Sequence, residues 1–89
     1  MKRNPDFLMR EVAGTMLVVP VGTATESFEG MIALNDSGAF LWQLLEQEQT
    51  LDSLTAALVA EYEVSEEVAR TDAESFVNRL ISTGAILNP

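Results

Sequence analysis

Met31-Ile32-Ala33-Leu34-Asn35-Asp36-Ser37-Gly38-Ala39-Phe40-Leu41-Trp42 is where this 89-residue chain changes period. Up to Leu34 the apolar residues come in short runs broken by Gly, Pro and Thr, the pattern of strands. From Asn35 they return at three- and four-residue spacing, the pattern of helices. Asn35 is placed to cap the first helix: its side chain can accept from an amide of the first turn, and Asp36 adds a negative charge at the positive end of the helix dipole. Phe40, Leu41, Trp42, Leu44 and Leu45 cover more than half of the circumference, so the helix, read to about Glu46, meets more than one neighbour. Trp42 is read as packing residue of that helix, and Gly38 with Ala39 leaves its first turn slim.

Upstream, Phe7–Val12 and Thr15–Val19 read as two strands joined at Ala13-Gly14, a tight turn that uses glycine's tolerance of positive φ. Both faces of the second strand are apolar, Met16 and Val18 on one and Leu17 and Val19 on the other, which predicts a central strand buried on both sides. Pairing should weaken at Pro20. Gly22–Ser27 reads as a polar loop, and Gly30–Leu34 as a third strand, with Phe28 a candidate addition. Such short connections favour an antiparallel meander.

Downstream, Thr50 is an N-cap candidate for a second helix carrying the stripe Leu51, Leu54, Leu58, Tyr62. Ser65 caps a third, whose inner stripe is read as Ala69, Ala73, Phe76 and Leu80, with Gly84 as its stop and Ala85-Ile86-Leu87 as a tail packing under the core. The expected fold is α+β: one domain over residues 1–89, a three-stranded antiparallel sheet followed by three helices, resembling a winged helix.

Composition excludes many functions. The chain is 47% hydrophobic and 21% charged, enough to bury a modest core. It has no Cys and no His, which removes disulfides, Cys/His zinc sites and nucleophile–histidine pairs. Fourteen acids against five bases give a net charge of −9, and no base lies between Glu11 and Ala69. That surface repels nucleic acid and anionic membrane. The exposed positions of the third helix, Glu66, Glu67, Arg70, Asp72, Glu74, Asn78 and Arg79, are too acidic for a groove of DNA. The acids cluster near helix ends, where dipole and solubility account for them, so no enzyme, metal site or cofactor is expected. No export or membrane segment is visible, and the chain reads as cytoplasmic.

Two features point to peptide recognition. The third strand ends the meander, so one edge is open to an added strand unless the C-terminal tail or a second copy covers it. Arg70, Glu74, Val77 and Ile81 form a strip beside the inner stripe of the third helix, suited either to the wall of a groove or to an ordinary core flank.

The run Gly30 to Trp42 resembles the "LN-x-x-(G/A)-x-x-(I/L)-(W/L)" signature of PqqD-like proteins. Thr50-Leu51-Asp52-Ser53-Leu54 resembles that family's second-helix start. Glu61-Tyr62-Glu63-Val64 is similar to its "Y-x-V" helix end, and Phe76, Leu80, Gly84, Ile86 and Leu87 resemble its finish. The motifs are short, and their order and spacing from about Phe7 to Leu87 carry the likeness. The resemblance implies a RiPP recognition element, an adaptor or chaperone that binds the leader of a ribosomally made precursor peptide and presents it to a modifying enzyme. In PQQ biosynthesis that enzyme is of the radical SAM type. It implies docking of the leader as an added strand on Met31, Ile32, Ala33 and Leu34, against a helix wall of Arg70, Glu74, Val77 and Ile81. The adaptor would act as monomer or homodimer and without catalysis. The charge distribution then predicts a leader that is not strongly acidic, with any acid aimed at Arg70. The competing reading is an acidic winged-helix-like structural or regulatory interaction module, distinguished by gene neighbourhood.

Overall fold

The computed structural model describes residues 1–26 and 30–88. Phe28, the candidate addition to the third strand, lies outside them. Strands β1 (Lys2–Arg3), β2 (Phe7–Val12) and β3 (Thr15–Pro20) are followed by a 3₁₀ turn at Gly22–Glu26 and by β4 (Ile32–Leu34). Helices α1 (Asp36–Leu44), α2 (Leu51–Tyr62) and α3 (Glu66–Thr83) follow, and β5 (Ile86–Leu87) ends the order. The main sheet is antiparallel in the order β2-β3-β4, so the expected meander and the three helices behind it are both present.

The hairpin from β2 to β3 turns on Ala13 (φ 52°) and Gly14 (φ 82°). Two consecutive positive φ values make a type I′ turn, whose twist matches that of the strands. Ala13 pays for this conformation with its Cβ, whereas Asn tolerates it. Ala13→Asn is therefore expected to raise stability by about 0.5–1 kcal/mol, read as a higher denaturation midpoint at unchanged slope.

The turn also sets the phase of the ladder. Its flanking pair, Val12 and Thr15, closes a two-residue hairpin and exchanges backbone bonds. Such pairs alternate, so Leu8 and Arg10 spend their backbone groups on β3, while those of Met9 and Glu11 point away from it. The bond from Val21 N to Asp6 O, 2.7 Å, continues the same phase. Across β3, Met16 and Val18 then bond to Leu34 and Ile32, and Ala33 between them turns its N–H and C=O to the open side of β4.

β3 is central in strand order, but it is not buried on both sides. The helices cover one face, where Phe7, Val18, Ile32 and Leu34 enter the core. On the other face Leu8 and Val12 are exposed, and Leu17 and Val19 are half-buried. The main sheet has one layer of helices, and among the described residues no second layer covers that face.

The helix starts follow their caps. Asn35 Oδ1 accepts from Gly38 N at 2.8 Å. A Cβ on Gly38 would stand 3.1 Å from that oxygen and 3.4 Å from Leu34 Cβ, so the slim first turn seats its own cap and the end of β4. Thr50 and Ser53 exchange reciprocal bonds of 3.0 and 2.8 Å, a capping box built with serine. Ser65 Oγ accepts from Val68 N, and Gly84 ends α3 at φ 86°. α1 stops at Leu44 rather than Glu46, because Leu45 N is shared between Leu41 O and Trp42 O, both at 3.2 Å, Glu46 and Gln47 tighten to i−3 acceptors, and the Gln49 side chain donates to the Leu44 carbonyl at 2.9 Å.

Three further features were not expected. Gly22–Glu26 is a 3₁₀ turn that buries Ala24, where the sequence reads as a polar loop. The tail does bury Ala85 and Ile86, but it also pairs as β5 with β1, and Leu87 stays exposed. The start of the chain is tied to the α1–α2 link: Arg3 N donates to Leu45 O at 2.9 Å, and the Met1 ammonium lies 2.6 Å from Glu48 Oε1.

Candidate functional site: the open edge of β4 and the groove beside α3

β4 pairs with β3 alone among the described residues. The tail, one of the two covers considered for its other edge, is committed to β1 instead. Along that edge runs a groove of about 380 Å³. Ala33 and Leu34 form one side, Ser37 and Gly38 of α1 one end, and Asp72, Ser75, Phe76 and Arg79 of α3 the opposite wall.

The strand residues Met31–Leu34 are not equivalent. Ile32 and Leu34 are buried, and their backbone groups belong to the ladder with β3. Met31 is 59% exposed, and Ala33 is exposed with its backbone facing outward. The carbonyl of Ala33 is engaged from outside the sheet: Arg79 Nη2 donates to it at 2.6 Å. A carbonyl has two lone pairs, so this contact still leaves room for one backbone donor. Among the described residues the Ala33 N–H has no such partner.

The helical strip Arg70, Glu74, Val77 and Ile81 lies on the other flank of α3. Arg70 turns to α2, where Nη2 is 2.7 Å from Asp52 Oδ1 and 3.7 Å from Glu66 Oε1. The hydrogen bond it donates to Asp52 raises the guanidinium pKa above its ordinary value, and Arg70 stays charged at any working pH. Val77 is buried in the core, Ile81 packs against it, and Glu74 is exposed. Val77 occupies the inner position expected of Phe76, and Phe76 instead lines the groove. The helix period predicts a buried stripe with two flanks, and it carries no mark that tells the flank toward α2 from the flank toward β4. The cation that faces the groove is thus Arg79, not Arg70. A test follows from this geometry: for a peptide with a carboxylate over the groove, Arg79→Ala should weaken binding about fivefold, whereas Arg70→Ala should change it by less than about twofold. Isothermal titration of the two variants distinguishes them.

Among the described residues no three acids converge to hold a metal ion, and no helix is long and apolar enough to cross a membrane.

An open strand edge flanked by a helix-walled groove is the geometry that strand-accepting binding modules use. The chain belongs to the coenzyme PQQ synthesis protein D (PqqD) family, whose model matches residues 15–86. Two solved structures share its fold. TbiB1, in complex with the TbiA(beta) leader peptide, superposes with a TM-score of 0.77 at 19% identity, over 100% of this chain and 98% of the other. A lasso peptide synthetase B1 complexed with its leader peptide gives 0.74 at 22% identity, over 98% and 96%. No curated protein matches the chain by sequence. The resemblance read from the motifs therefore holds at the level of the family, and the three-strand, three-helix order at the level of the fold.

Proposed function

We propose that this chain is a non-catalytic recognition element: it binds the leader segment of a ribosomally made precursor peptide by strand addition to β4 and presents it to a modifying enzyme. The observation that carries this reading is the outward-facing backbone of Ala33, with an unpaired donor beside the α3 groove. Membership of the PqqD family supports it, as does the leader peptide present in both solved relatives. On this reading the leader bonds to the backbone of Met31 and Ala33, and its side chains meet Asp72, Ser75, Phe76 and Arg79. Ile32, Leu34 and Val77 support the groove from within the core, with half-buried Ile81 packed against it, and Arg70 and Glu74 stand apart from the groove. The chemistry belongs to the partner enzyme, of radical SAM type where the pathway is that of PQQ, and the adaptor works in the cytoplasm.

The test is a titration of the ¹⁵N-labelled chain with a leader peptide, followed by NMR. The amides of Met31, Ala33, Asp72, Ser75, Phe76 and Arg79 should shift together. Shifts confined to the α2 side of α3, around Arg70 and Glu74, would overturn the docking geometry.

A further inference from the structure

Among the described residues the main sheet has two open edges, and the second also borders a groove. Among the described residues β2 is paired on one side only, and the alternation set by the hairpin turns the N–H and C=O of Met9 and Glu11 outward. Beside this edge lies a groove of about 590 Å³, larger than the one at β4. Leu8 and Met9 form one wall, Lys2 and Arg3 of β1 with Leu87 of β5 form the other, and Glu46 closes one end. Its apolar parts are open to solvent, with Leu8 51% and Leu87 50% exposed.

The charge here opposes that of the rest of the chain. Three of the five bases, Lys2, Arg3 and Arg10, lie on β1 and β2. The acids beside them are Asp6 in the link from β1 to β2, whose Oδ2 accepts from Thr23 Oγ1, Glu11 on β2 and Glu46 in the groove. The groove lining itself carries two bases, Lys2 and Arg3, against one acid, Glu46, a net positive patch in a chain of net charge −9. Arg3 is partly committed: it donates to Trp42 O at 3.3 Å, its Cζ lies 5.8 Å from the Trp42 ring centroid, and Glu46 is 4.0 Å away. Lys2 has no side-chain partner among the described residues.

We infer that the β2 edge is a second strand-accepting site, and that its occupant is an extended segment of a partner protein in which apolar and acidic residues alternate. Unpaired backbone groups at Met9 and Glu11 receive the strand, Leu8 and Leu87 take its apolar side chains, and Lys2 with Arg3 takes its carboxylates. A second copy fits less well, because the residues it would offer edge to edge, Phe7–Val12, carry one base and one acid and bring no net negative charge to Lys2. The site lies at the opposite edge of the sheet from the leader groove, so a partner held here leaves β4 free.

The test uses the full ¹⁵N-labelled chain and a capped synthetic peptide of about ten residues alternating Val and Glu, with a Val/Lys peptide of equal length as control. The acidic peptide should shift the amides of Lys2, Met9 and Glu11. Lys2→Glu should weaken this binding by about fivefold, and added salt should weaken it as well. The inference is overturned if the two peptides bind alike, if no shift appears, or if the shifts fall on Met31 and Ala33. It is also overturned if Met9 and Glu11 shift with protein concentration alone, which would make a second copy the occupant. Leader binding reads out at Met31 and Ala33, so the failure of either proposal is seen separately.

Discussion

Ala33→Pro is expected to weaken leader binding by about thirtyfold while leaving the protein folded. Proline lacks an N–H, and in a sheet it is tolerated where that group would face outward. The phase of the ladder puts Ala33 in that position, since its neighbours Ile32 and Leu34 make the bonds to β3. The substitution thus removes no bond of the sheet. It removes the donor that an added strand needs, worth about 1 kcal/mol net, and sets the ring against the incoming backbone for a similar amount. Together these make about 2 kcal/mol, hence the thirtyfold loss. Ile32→Pro is the contrasting variant. It deletes a ladder donor and a buried side chain, and it should destabilise the protein by at least about 3 kcal/mol. Titration calorimetry and urea unfolding of both variants check the pair. Unchanged binding by Ala33→Pro, or an unfolded Ala33→Pro, would show that the open edge or its phase is misassigned.

Trp42→Ala should cost about 3–5 kcal/mol of folding free energy. Trp42 is 1% exposed in the core, and its ring also underlies Arg3 of β1. Truncation leaves a cavity between α1 and its neighbours that a small domain closes only in part. A chain of this size has on the order of 5–10 kcal/mol in total, so the variant should lie near its unfolding threshold at room temperature. Trp42→Phe keeps most of the apolar area and should lose considerably less. Urea midpoints report both, and a loss below about 1 kcal/mol for the alanine variant would mean that the site collapses around the gap.

The contrast between these two residues shows how much was legible in the sequence. Trp42 was identified as a packing residue because apolar spacing and a cap at Asn35 already define a helix that must bury its side chains. Ala33 was singled out only as one of four successive strand residues, Met31–Leu34. The apolar pattern separates the two faces of a strand, but bonding phase concerns its two edges, and the Ala13-Gly14 turn has to be followed through two ladders to obtain it. The ribbon of β1 with β5 gave no signal either, because two residues show no period and the pairing joins opposite ends of the chain.

The sequence by itself determined the order of the main sheet and helices, the caps at Asn35, Thr50 and Ser65, the stop at Gly84 and most of the buried stripe of α3, because these follow from local conformation and periodicity. Only the tertiary structure decided which flank of α3 faces β4, and with it the replacement of Arg70 by Arg79 at the groove. A helix wheel is symmetric about its buried stripe, and that symmetry is broken only when α2 packs on one side, pairing Asp52 with Arg70, and β4 lies on the other, offering the Ala33 carbonyl to Arg79.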